Sequence, residues 1–194
     1  MTTRAEGDGT SSPLATELDA LGVSDDRWTI DPMSSTFDLR GRYLFGLAVT
    51  ARFEVDSGRV DITNDRSEIT GTLLLDAASL DSGIGIRDQH LRERRRALDV
   101  ERFPTIRFEL DRATPGRQST FDIQGRVTIR DLTRPVELRV DARVDGDAAD
   151  LIVTGELDHR PFKLGMPALG RQLAVHARLR AVVDRTPPTP ATTA

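Results

Sequence analysis

The polar cluster with the clearest binding chemistry is Arg87-Asp88-Gln89-His90, preceded by Gly83 and Gly85. A helix starting just after the glycines offers unpaired backbone N–H groups and the positive end of its dipole, which favour an anion. Arg87 beside that start is able to grip a phosphate with two parallel hydrogen bonds. Arg87 and His90 are therefore candidates for a head-group site. The same residues also suit a plainer role, in which Arg87 and Asp88 anchor the segment to its neighbours. Downstream, Arg92, Arg94, Arg95 and Arg96 form a basic run broken only by Glu93. Such a run is a solvated helix face or a surface for transient docking on anionic lipid.

Catalytic chemistry finds no footing. Cysteine is absent, which removes thiolate nucleophiles, disulfides and thiolate-bound metals. His90, His159 and His176 lie far apart without the spacing of a metal site, so no metal and no cofactor is expected. Acidic residues number 31, but they are scattered and nominate no acid/base pair, nor is there a serine–histidine–acid arrangement. Gly83-Ile84-Gly85 lacks the surrounding βαβ context of a dinucleotide fingerprint. The expectation is a protein that is not an enzyme.

The elements around the cluster are short and alternating. Leu47, Val49, Ala51, Phe53 and Val55 repeat at period two, as do Ile69, Gly71, Leu73 and Leu75. The same pattern returns in Ile106, Phe108 and Leu110, and in Phe121, Ile123, Gly125, Val127 and Ile129. It continues in Val136 to Val144, Leu151 to Leu157 and Leu173 to Val183. Pro32 is expected to break the first strand, and Asp56-Ser57-Gly58 to turn the chain. About eight or nine strands joined by short turns must run antiparallel. Both a sandwich and an up-and-down barrel satisfy this pattern. The one long interruption is 76–108, with a charged helix expected over about 86–98. A shorter helix is expected after Ser12-Pro13, with Leu14, Leu18 and Leu21 on one face and Gly22 as its stop. It either caps a barrel end or stays undocked.

The residues of that interruption resemble the central motif of the YceI-like family. They read Asp76-Ala77-Ala78-Ser79-Leu80-Asp81-Ser82-Gly83, then Arg87-Asp88-Gln89-His90-Leu91-Arg92, then Phe103-Pro104-Thr105-Ile106-Arg107-Phe108. Gly125-Arg126-Val127-Thr128-Ile129-Arg130-Asp131-Leu132-Thr133-Arg134-Pro135-Val136 is similar to a second motif of the family, and Trp28-Thr29-Ile30-Asp31-Pro32 to its opening strand. The resemblance spans about 28–183. It implies an all-β fold: an antiparallel, lipocalin-like β-barrel of about eight strands with one helical excursion (about 86–98) and a short N-terminal helix. It implies that the interior holds a long apolar molecule, a polyisoprenoid or related lipid, for sequestration or transport. This sequence departs from the family pattern at Met33-Ser34, where histidine-serine is usual, at Ala97-Leu98, where a phenylalanine pair is usual, and at Asp131, where glycine is usual.

Within such a barrel the inward set supplies the candidate ligand contacts: Phe37, Leu47, Val49, Phe53, Leu73, Phe108, Val127, Ile129, Leu138 and Val175. A filled barrel that serves as a stress-related interaction protein is the alternative, since the same residues face inward in either case. Trp28 is expected to plug a barrel end.

The 194 residues suit one domain at 27–184, after a flexible segment at 1–26 and before a disordered tail at 185–194. The net charge is −4, and no basic run interleaves with aromatics, so nucleic acid is not an expected partner. Of the 27 basic residues only Lys163 is lysine. No apolar run near the N-terminus reads as a signal peptide and none is long enough to span a bilayer, so a cytoplasmic location is expected. Homodimerisation is compatible with the sequence and not encoded by any feature of it.

Overall fold

A computed structural model describes residues 12–23, 26–43, 46–63, 65–166 and 168–185. The disorder expected of 1–11 and of the tail after Arg185 concerns residues outside this set. Helix α1 (Pro13–Ala20) comes first. Strands β1 (Arg27–Arg42), β2 (Ala48–Thr63) and β3 (Glu68–Asp81) precede helix α2 (Gly85–Glu93). Strands β4 (Thr105–Pro115), β5 (Thr120–Ile129), β6 (Leu132–Asp145), β7 (Ala148–Asp158) and β8 (Gln172–Val183) follow, with a single 3₁₀ turn at Arg160–Phe162 before β8. Each strand pairs antiparallel with the next, and β8 closes on β1 from Trp28↔Val183 to Arg40↔Ala174. The barrel solution, with eight strands, is the one adopted. Among the described residues no helix is long and apolar enough to cross a membrane.

Two expected breaks are absorbed within strands. Pro32 does not end β1; the ladder shifts register between Asp31 and Thr36, where a residue without an N–H does no harm. Asp56-Ser57-Gly58 is likewise a bulge in β2, with the register shift between Val55 and Ser57. The shift moves the inward set from Phe53 and Val55 to Val60 and Ile62, which keeps apolar side chains inside along a strand too long for one uninterrupted register. The true turns are tighter: Gly146, at φ +59°, supplies the left-handed residue that the β6–β7 hairpin requires.

Helix α2 ends at Glu93, short of the expected Leu98. Arg94 is already extended, and the chain folds back so that Leu98 N–H donates to Leu91 O and Val100 N–H to Arg92 O. A continuing helix would spin Ala97 and Leu98 around its axis. The fold-back instead buries both, along with Asp99, beneath an exposed Arg94-Arg95-Arg96 crest.

The outer wall carries cross-strand ion pairs between arginine and aspartate. Arg27–Asp61 (2.7 Å), Arg52–Asp38 (2.9 Å), Arg139–Asp122 (2.9 Å) and Arg180–Asp150 (2.7 Å) all join register partners. Each pair keeps at least one partner open to solvent, and surface pairs of this kind add about 0–1 kcal/mol each, so the fold rests on its interior.

Inside, glycines let large neighbours lean against the wall. A Cβ on Gly125 would sit 2.4 Å from Glu109 O and 2.7 Å from two ring carbons of Phe108. The ring therefore rests in the space that a side chain at position 125 would fill. Gly58 does the same for Ile30, whose Cγ1 lies 2.6 Å from the position a Cβ would take. Gly125→Ala is expected to cost about 1–3 kcal/mol in urea unfolding, because the Glu109 carbonyl cannot swing aside. A neutral result would mean that the sheet itself yields at this point.

Candidate functional site: an apolar cavity along the barrel axis

The barrel is not filled. A cavity of about 220 Å³ runs from Leu18, Leu21 and Val23 at the α1 end to Leu39, Ile129, Leu157 and Val175 toward the α2 end. By the measure of roughly 10–15 Å³ per water-sized sphere, that is room for about fifteen or more. Its lining is aliphatic and aromatic apart from Gly71, Thr72 and Arg59, at the β2–β3 seam where Gly71 offers no side chain to cover the strand backbone. Phe37, Phe108, Val127, Leu138 and Leu151 point inward and yet are only half-buried, which is the mark of walls around space rather than of a packed core.

Eight of the ten expected contact residues are brought together here: Phe37, Phe53, Leu73, Phe108, Val127, Ile129, Leu138 and Val175. Two are not. Leu47 precedes the start of β2 and is 67% exposed, so the alternation that includes it in the strand runs one residue too far. Val49 pairs with Gly41 at the α2 end, past the last cavity residue on that strand. Sequence reasoning also missed wall residues. Ile30, Leu75, Ile106 and Ile123 follow the same alternation and were legible. Leu18, Leu21 and Val23 were not, because their place depends on where α1 docks. Trp28, expected to plug a barrel end, lines the cavity at the α1 end, and its indole Nε1 has no partner among the described residues.

Arg87 and His90 lie outside the cavity lining. His90 is exposed, and Arg87 is engaged with Ser82: its Nε donates to Ser82 Oγ at 2.9 Å and its Nη2 to Ser82 O at 2.8 Å. Asp88, only 3% exposed, takes the other side, accepting the Ser82 N–H at 3.0 Å and the Ser82 hydroxyl. The pair clamps Ser82 where the chain leaves β3, which is the anchoring role. Further cross-links cover the α2 end. Arg130, at φ +57° in the β5–β6 turn, donates to Arg95 O at 2.8 Å and to Phe162 O at 2.7 Å. Gly165 N–H reaches Arg96 O at 2.5 Å. Leu80, Leu98 and Phe162 are buried beneath these links, outside the cavity lining.

Burial alone would raise Asp88, but the hydrogen bonds from Ser82, with Arg87 beside them, outweigh it and hold the carboxyl below its ordinary 3.8. A depressed carboxyl stabilises the fold above the ordinary value and stops doing so as pH falls through the lower folded one. Asp88→Asn, which keeps one acceptor oxygen instead of two, is expected to cost about 1.5–3 kcal/mol at pH 7. The gap between wild type and variant in urea unfolding should shrink once pH drops below 3.8. A gap that persists unchanged in acid would deny the carboxylate its role.

Comparison with known proteins agrees with this geometry. A model of the YceI-like domain matches residues 28–181. Among solved structures, BcnA of Burkholderia cenocepacia superposes with a TM-score of 0.69 at 14% identity, covering 78% of this chain and 98% of its own. A polyisoprenoid binding domain from Saccharophagus degradans, implicated in plant cell wall breakdown, gives 0.65 at 12%, covering 81% and 98%. The YCEI protein of Campylobacter jejuni gives 0.53 at 12%, covering 69% and 82%. At such identities the superpositions speak for the fold alone. A search of curated proteins returns no match. With the domain match covering most of the barrel, from Trp28 to Ala181, and the closed eight-stranded barrel found independently, the chain belongs to the YceI-like family.

Proposed function

We propose that this protein is a non-enzymatic carrier that sequesters a long apolar lipid, of the polyisoprenoid class, along its barrel axis. The observation that carries the reading is the continuous apolar cavity, long in one direction and without a charged group other than the seam residue Arg59. A space of this size left empty among aliphatic walls costs on the order of 5 kcal/mol in lost packing, by about 24 cal/mol per Å³. An apolar chain recovers that loss and gains roughly 25 cal/mol for each Å² it removes from water. The polyisoprenoid-binding description of the Saccharophagus degradans domain supports the ligand class. The filled-barrel alternative, an interaction protein without a small ligand, is disfavoured by the open interior.

The distribution of charge supports a place for loading. Over 42–43, 46–47, 81–104, 130–131, 158–166 and 168–171, the described segments at the α2 end, basic side chains outnumber carboxylates eleven to seven. Over 12–23, 26, 63, 65–68, 115–120, 145–148 and 184–185, at the α1 end, carboxylates outnumber arginines eight to three among the described residues. The basic end also presents Ile84 and Ile86, 52% and 74% exposed, at the start of α2, whose other end leads into the arginine crest. Apolar side chains among arginines suit transient contact with an anionic bilayer, from which a lipid enters beneath the α2 cover.

Protein purified without detergent is expected to release a lipid into organic solvent, detected by mass spectrometry, and the stripped protein to take up prenols or a fluorescent fatty acid. No extracted lipid together with no uptake would falsify the carrier reading. Flotation with phosphatidylglycerol vesicles should fall in ~0.5 M salt, where screening shortens to roughly 4 Å, and on replacing Arg94, Arg95 and Arg96 by Ala. Equal flotation at low and high salt would rule out the electrostatic docking while leaving the cavity reading intact.

A further inference from the structure

Helix α1 lies before the 28–181 span of the YceI-like match, yet it supplies part of the cavity wall. The barrel at that end is built to receive it. Ala113, Ala142, Ala149 and Ala181 face the cavity from β4, β6, β7 and β8, beside the larger Trp28, Ile62 and Phe121 of β1, β2 and β5. Methyl groups on four of the eight strands leave room on that side of the barrel. Leu14 and Leu18 fill it, at 6% and 4% exposure, with Leu21 half-buried beside them.

Eight residues are too few for a helix that stands alone, so docking must hold α1 in shape. Glu17 Oε1 accepts the Ser119 N–H at 3.2 Å, tying the helix to the β4–β5 turn. Asp19 pairs with Arg66 of the β2–β3 turn, and Arg66 Nη1 also donates to Val23 O at 3.3 Å. Gly22, at φ +72°, turns the chain so that Val23 N–H caps Leu18 O at 2.9 Å and Val23 joins the wall. These ties reach two separate hairpins and need no ligand, so the helix is a fixed part of the wall.

We infer that α1 is the end-stop of the cavity, and that Leu18 and Leu21 set the length of apolar chain the barrel holds. This rests on the carrier reading. Replacing both leucines by alanine removes six carbons from the floor, about the bulk of one five-carbon isoprene unit. The structure thus assigns chain-length selectivity to residues outside the family's own domain.

The test uses the full chain and all-trans prenols of increasing length, geraniol, farnesol, geranylgeraniol and longer, as competitors of a fluorescent fatty acid. Wild type is expected to show an optimum length, and Leu18→Ala/Leu21→Ala to move it up by one isoprene unit. Leu21→Phe, at the less buried position, should move it down and weaken the longest prenol bound by wild type about tenfold relative to the shortest. It answers the question even if the double alanine variant fails to fold. An unchanged optimum in folded variants overturns the end-stop and leaves the carrier reading standing. Failure of wild type to bind any prenol or the fatty acid overturns both.

Discussion

The pairing of β8 with β1 is the constraint on which the rest of the molecule depends. Closure leaves no strand at a free edge, so every strand of the wall is paired on both sides, apart from the register shifts that its bulges introduce. It also fixes the circumference. Eight strands enclose a width that side chains fill only if large residues meet at the axis, and otherwise leave room for a slender ligand. Which outcome holds is decided by where the large residues lean. Phe108 lies on Gly125 and Ile30 on Gly58, so two of the bulkier inward groups are drawn to the wall. The cavity is thus a consequence of glycine placement within a closed sheet, and a Cβ at either position pushes a side chain back toward the axis.

Closure has a second consequence, at the ends. A tube lined with apolar residues is open at both rims unless something is built across them, and the two covers here differ in kind. At the α2 end the cover is a long excursion that returns to the barrel, held through main-chain carbonyls by Arg130 and clamped at its root by Asp88 and Arg87 on Ser82. At the α1 end it is a separate short helix held by two side-chain ties and by its leucines. The excursion carries exposed isoleucines and arginines that no internal contact requires, whereas the apolar side chains of α1 are spent on the barrel.

Fold and wall were legible in the sequence because both follow from one rule. Inward and outward residues alternate, and a closed antiparallel sheet repeats the alternation strand after strand. The rule failed where the backbone departs from it. Pro32 and Asp56-Ser57-Gly58 have the chemistry of breaks, and only the pairing partners on both sides show that each strand continues through a bulge. Leu47 failed for the opposite reason: the pattern extends beyond the residues that pair. Arg87 and Asp88 carried a correct alternative from the start, but the deciding fact is a contact with Ser82, five and six residues earlier in the chain, that depends on where α2 begins and how its root is turned.

The residues no pattern revealed share one property: their role depends on which end of the barrel they reach. Nothing in the spacing of Leu14, Leu18 and Leu21 distinguishes a helix that closes a cavity from one that lies on a surface. The distinguishing signal is held in the partner strands, in four alanines that leave room beside the larger Trp28, Ile62 and Phe121. Read alone, each alanine is a small residue at an inward position. Read together across the closed sheet, they mark a vacancy shaped for another element. Arg130 shows the same logic at the opposite rim: it occupies the left-handed position of a two-residue turn, and its guanidinium joins two loops distant in sequence. In a closed barrel the strands write the wall into the local pattern, while the covers are written in pairs of segments that only the completed circle brings together.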